Sequence, residues 1–84
     1  MNRRVKISGP ARRDLRRMNP DMVTRVLDAI ARYADTGHGD VKRLRGWDEE
    51  LRLRVGDWRV RFRFVGSDLI EVIRVLPRGR AYRD

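Results

Sequence analysis

A chain of 84 residues is the size of one domain, and with no cysteine it can be held by neither disulfides nor a thiolate zinc site. It carries 21 basic and 12 acidic side chains, a formal charge of +9, and no run near the roughly 18 apolar residues that a membrane span needs. With no apolar leader at the start of the chain either, the expectation is a soluble, cytoplasmic single domain over residues 1–84 whose partner is a polyanion rather than a membrane.

The positive charge sits at the two ends. Residues 1–20 hold seven basic groups against one acid, residues 21–50 five against seven, and residues 51–84 nine against four. Only Lys6 and Lys42 are lysines; the other basic residues are arginines, whose planar fork suits bidentate recognition of phosphate.

In chain order, residues 3–7 ("RRVKI") alternate polar and apolar and predict a first strand, ended by Ser8-Gly9-Pro10. A short helix over about 10–18 places Leu15 and Met18 on one face. Asn19-Pro20 breaks it and starts the next helix, with Asn19 as N-cap and Pro20 in the first turn. That second helix, about 20–35, carries an apolar stripe of Val23, Val26, Leu27, Ile30 and Tyr33/Ala34, with Asp21, Arg25, Asp28 and Arg32 outside it. "DTGHGD" at 35–40 is a loop, and "VKRLRGW" at 41–47 has no firm assignment. The consecutive acids Asp48, Glu49 and Glu50 suggest an exposed turn.

Three strands follow: Leu51–Val55, Trp58–Val65 and Leu69–Leu76, joined by turns at Gly56-Asp57 and Gly66-Ser67-Asp68. Two consecutive hairpins make an antiparallel meander, and "PRGRAYRD" is a tail. The order β-α-α-β-β-β predicts an α+β fold with a helical hairpin packed on one face of a small antiparallel sheet.

The chemistry-bearing pattern is "RLRVGDWRVRFRF" at 52–64. Side chains alternate across a strand, so Leu51, Leu53, Val55, Trp58, Val60, Phe62 and Phe64 share one face while Arg52, Arg54, Arg59, Arg61 and Arg63 share the other. A half-wet antiparallel sheet explains the alternation. It does not explain the uniform sign, because like charges across neighbouring strands repel by tenths of a kcal/mol. Binding of a nucleic-acid backbone does explain it. His38 is the one histidine, no His/Cys/carboxylate cluster has metal-ligand spacing, and no phosphate-binding G-x-x-x-x-G-K-[ST] loop is present. A metalloenzyme or nucleotide-hydrolysing enzyme is not expected, and no cofactor is.

"LRLRVGDWRVRFRF", the hydrophobic strand after it and "VLPRGRAY" resemble the RelE/ParE superfamily of toxins from type II toxin–antitoxin pairs. "RRDLRRMNPDM" ahead of the second helix, "VKRLRG" ahead of the sheet, and Arg78 followed four residues later by Tyr82 belong to the same resemblance, which spans nearly the whole chain. It implies one of two activities. RelE-like members are metal-independent mRNA endonucleases acting in the ribosomal A site, by attack of a ribose 2′-hydroxyl on the adjacent phosphate to leave a 2′,3′-cyclic phosphate. ParE-like members poison DNA gyrase. A degenerate, non-catalytic module that binds nucleic acid or antitoxin is the remaining alternative.

Residue by residue, the resemblance gives Arg59 as the phosphate-contacting arginine. Arg78 would stabilise the transition state, and Tyr82 would stack on the target nucleotide. Arg52 and Arg54 stand where a basic pair, often lysine in RelE itself, completes the catalytic set. Arginine is a poor proton acceptor near neutral pH, so the pair's acid–base role is not carried over with it. Arg61, Arg63, Arg80, Lys42, Arg43 and Arg45 are the further expected RNA contacts. The implied partners are a cognate antitoxin, the ribosome and its mRNA or, in the alternative, gyrase.

Overall fold

A computed structural model describes residues 2–43 and 50–80. The chain runs β1 (Arg4–Ile7), α1 (Gly9–Arg16), α2 (Pro20–Thr36), β2 (Asp40–Arg43), β3 (Glu50–Val55), β4 (Trp58–Val65) and β5 (Leu69–Pro77). The five strands form one sheet in the order β1-β5-β4-β3-β2. β3, β4 and β5 make the expected antiparallel meander, and the fold is α+β as predicted. Two strands extend the meander. β2, drawn from the unassigned stretch after the glycine loop, pairs antiparallel with β3. β1 pairs parallel with β5, so the sheet as a whole is mixed rather than wholly antiparallel.

Local signals set the helices. Ser8 caps α1, its Oγ accepting from the Ala11 N–H at 3.2 Å, and Pro10 lies in the first turn where no amide donor is needed. Asn19 caps α2 by accepting from the Asp21 N–H at 2.8 Å. α2 ends at Gly37, whose φ of 78° is a left-handed conformation that suits glycine, and whose N–H closes on the Tyr33 carbonyl at 2.8 Å.

One face of the sheet carries the core. Leu53, Val55, Val60, Phe62, Ile70, Val72 and Val75 are buried against Val26, Ile30 and Ala34 of α2 and Ala11 of α1. Tyr33 closes the layer with its ring centroid 5.3 Å from that of Phe62. The stripe of α2 is rotated slightly from the expected one. Met22, Ala29 and Tyr33 flank the buried positions, while Leu27 turns outward, 40% exposed.

β1 covers only the first half of β5, and α1 serves the edge beyond it. The Ser8 N–H donates to the Val72 carbonyl at 3.0 Å, and Ser8 Oγ donates to the Ile73 carbonyl at 2.9 Å. Asp14 Oδ2 then accepts from the Val75 N–H at 2.9 Å. These contacts satisfy strand-edge groups that would otherwise offer a template for foreign pairing. The β4–β5 register shifts between Arg61 and Phe62, a bulge that increases local twist beside the arginine face.

Candidate nucleic-acid interface

Directly paired residues project from the same side of a sheet, so the register assigns the faces. Arg54 stands opposite Arg59, Arg52 opposite Arg61, and Lys42 opposite Arg52. Arg59 faces Leu76, Arg61 faces Arg74, and Arg63 faces both Glu50 and Glu71. The alternating arginines therefore lie on the face away from α2, but they do not form a uniform solvated carpet.

One half of the face is neutralised. Arg61, 3% exposed, donates from Nε to Glu50 Oε1 at 3.0 Å and from Nη2 to Glu50 Oε2 at 3.3 Å. Glu50 is the first residue of β3 and half-buried, not part of an exposed turn; Asp48 and Glu49 lie outside the described residues. Arg63 donates from Nε to Glu71 Oε1 at 2.8 Å. Arg74 makes a two-pronged contact with Asp14 of α1, at 2.8 and 3.1 Å.

The other half is built around a buried arginine. Arg59 is only 6% exposed, and its Nη1 donates to two carbonyls of the β3–β4 turn, Gly56 at 2.9 Å and Trp58 at 3.1 Å. Its Nε is buried and has no hydrogen-bond partner among the described residues. Burial disfavours the guanidinium charge, and Arg52, Arg54 and Arg78 disfavour it further. Together they hold the Arg59 pKa below the ordinary arginine value, and Asp57 acts in the opposite direction. The register sets Arg52 and Arg54 on the same face as Arg59, and Arg78 follows β5 near enough to act on the Arg59 charge. Arg78 is fixed there by its N–H, which donates to the Asp57 carbonyl of the same turn at 2.8 Å. Arg54 and Arg78 are exposed, and Arg52 is half-buried. The result is a buried cation under a cationic rim.

A family model described as "ParE toxin of type II toxin-antitoxin system, parDE" matches residues 5–82. The chain belongs to this toxin family. Among solved structures, the toxin resembles an archaeal RelE–RelB complex from Pyrococcus horikoshii OT3, with 30% identity, TM-score 0.72, and 96% of this chain and 100% of that chain covered. It also resembles the RelB–RelE antitoxin–toxin complex from Methanococcus jannaschii, with 24% identity, TM-score 0.74, and 90% and 93% covered. The isolated E. coli RelE toxin superposes with TM-score 0.74 at 12% identity, over 94% of this chain and 87% of that one. No curated protein matches the chain.

Within the toxin, the remaining residues singled out by sequence fall in three places. Arg80 is exposed in the turn after β5, its N–H donating to the Pro77 carbonyl at 3.1 Å, close to the rim in sequence. Arg43 pairs opposite Leu51, which puts it on the helix-covered side, where it lines a hollow with Leu51, Phe64 and Gly66. A one-residue offset from Lys42 is enough to send it there. Tyr82 and Arg45 lie outside the described residues. What sequence reading missed is Asp14 and Glu50, which decide where the positive field survives. Asp14 lies sixty residues from Arg74, and Glu50 meets Arg61, eleven residues on, only through the β3–β4 pairing, so no local spacing announces either pair.

Proposed function

We propose that this toxin is a metal-independent, ribosome-dependent mRNA endonuclease. The observation that carries the reading is the Arg59 site. A buried guanidinium, its charge disfavoured by burial and by Arg52, Arg54 and Arg78, is an electrostatic arrangement that an anionic phosphate relieves. In the reaction, the 2′-oxygen bonds to the adjacent phosphorus, the bond from phosphorus to the 5′-oxygen breaks, and that oxygen takes up a proton. The products are a 2′,3′-cyclic phosphate and a free 5′-hydroxyl. Arg59 and the rim stabilise the extra negative charge of the five-coordinate phosphorus, Arg78 from the tail side and Arg54 from β3. Tyr82 is assigned stacking on the target nucleotide. A guanidinium is a poor proton acceptor near neutral pH, so the 2′-hydroxyl proton passes to solvent, and the ribosome supplies alignment.

The matching family model's ParE description supports a second reading, inhibition of DNA gyrase, with the same cationic face as binding surface. In either case the partner in the resting cell is a cognate antitoxin, as in the RelB-bound relatives, with acidic groups to cover the rim. The cell compartment proposed is the cytoplasm.

Expression in a bacterial host, with primer-extension mapping of transcripts, tests the reading. Cuts within translated codons, and loss of both cuts and growth arrest in folded Arg59→Ala and Arg78→Ala variants, are expected. Arrest with intact mRNA and DNA-damage induction would establish the gyrase reading instead. Full toxicity of both variants would remove the site.

A further inference from the structure

A hollow of about 460 Å³ lies between α2 and the β2–β3 corner, and Arg54, although its register places it on the opposite face beside Arg59, also lines it. Its other cations are Arg25 and Arg32 of α2, and His38 also lines it. Arg25 and Arg32 are seven residues apart, two helical turns or about 10 Å, on one side of α2. Arg25 Nη2 reaches the β3–β4 turn, 3.8 Å from where a β-carbon on Gly56 would stand, and Arg59 is bonded to the carbonyl of that same glycine. Arg25 thus approaches the turn whose Gly56 carbonyl Arg59 holds, with Asp57 of that turn as an acid beside them.

The hollow's floor is apolar, built from Leu53, Val55 and Ala29, and two acids, Asp28 and Asp40, stand in its wall. This mixture selects among anionic occupants. An acidic peptide would meet the two aspartates with like charge. A nucleotide would lay its base on the apolar floor, offer exocyclic N–H groups to the aspartates and keep its phosphates on the arginines.

We infer that this hollow is a second subsite for the message strand, holding a nucleotide that flanks the one at Arg59 through Arg25, Arg32 and Arg54. This rests on the RNA reading above and extends it to α2, a surface with no part in the chemistry.

The test is equilibrium binding of a fluorescent ten-nucleotide single-stranded RNA across a salt series, for the wild-type toxin and the Arg25→Gln/Arg32→Gln double variant. Two lost phosphate contacts lower the slope of log K against log salt by about 1.4, and affinity at low salt by roughly tenfold. An Arg13→Gln/Arg16→Gln control on exposed α1 leaves both unchanged. A double variant that binds as wild type does, while wild type still cuts message in cells, overturns the subsite and spares the endonuclease. Wild type that neither binds RNA nor cuts message overturns both. A double variant with wild-type RNA binding but weakened ribosome co-sedimentation or antitoxin copurification assigns the hollow to ribosomal RNA or to the antitoxin, and the inference falls.

Discussion

Arg61 and Glu50 form a two-pronged ion pair across β4 and β3, with the Arg61 side chain 4% and the Glu50 side chain 16% exposed. The pair marks a boundary on this face: level with it Arg74 meets Asp14, beyond it Arg63 meets Glu71, and on its other side stands Arg59. Replacing Glu50 by Ala removes a two-pronged carboxylate partner from a buried guanidinium, so stability should fall by about 3 kcal/mol. Urea unfolding at neutral pH measures it. Replacing both residues by a methionine pair should recover most of the loss, because a buried ion pair gives up much of its attraction to desolvation.

Asp14 is the corresponding device on α1. It holds Arg74 and also accepts the Val75 N–H, so one carboxylate joins helix to strand edge. Asp14→Ala is expected to lose about 3 kcal/mol, from the broken pair and the orphaned amide. Asp14→Asn should lose less, since an amide oxygen still reaches Val75. Equal losses in the two variants would mean that the strand-edge contact contributes little.

Much of this fold is legible in the chain because local signals and periodicity agree. Pro10, Asn19-Pro20 and Gly37 set the helix ends, and the period-2 run from Leu51 to Phe64 sets two strands and their faces. Three features escaped for physical reasons. β2 is four residues long with one apolar side chain, Val41, so it has no pattern of its own and exists through pairing with β3. The parallel docking of β1 on β5 joins segments more than sixty residues apart, and nothing local encodes it. The split of the arginine face depends on which carboxylates the fold delivers there. Sequence identifies the arginine-rich face, and tertiary structure decides that Arg61, Arg63 and Arg74 meet Glu50, Glu71 and Asp14 while Arg59 sits in the field of Arg52, Arg54 and Arg78.

That field can be titrated without substrate. Inorganic phosphate bound at the Arg59 rim should raise the melting temperature, by about 1.4 kcal/mol of stability at a tenfold excess over its dissociation constant. For a domain this small that is on the order of 6–10 °C. A general salting effect stabilises every variant alike, so the informative quantity is the difference. Arg54→Gln/Arg78→Gln should lose most of the phosphate increment, whereas Arg63→Gln, already spoken for by Glu71, should keep it.

Arg59 itself should be a residue that the fold would do better without. Burial and three neighbouring cations lower its pKa in the folded protein, so the folded state holds the proton less tightly than the unfolded chain does. At neutral pH both states are charged, and the charge is a standing cost to folding. By linkage, stability rises with pH only where the unfolded chain binds more protons, which here means strongly alkaline solution, so this group leaves the neutral range flat. Arg59→Met removes the charge while keeping the aliphatic stem packed against Leu76, its cross-strand neighbour. The expected result is a gain of roughly 0.5–1 kcal/mol in urea unfolding together with loss of growth arrest on expression. A less stable Arg59→Met protein would show instead that the two hydrogen bonds to Gly56 and Trp58 outweigh the electrostatic cost, and that the cluster is a structural clamp on the β3–β4 turn.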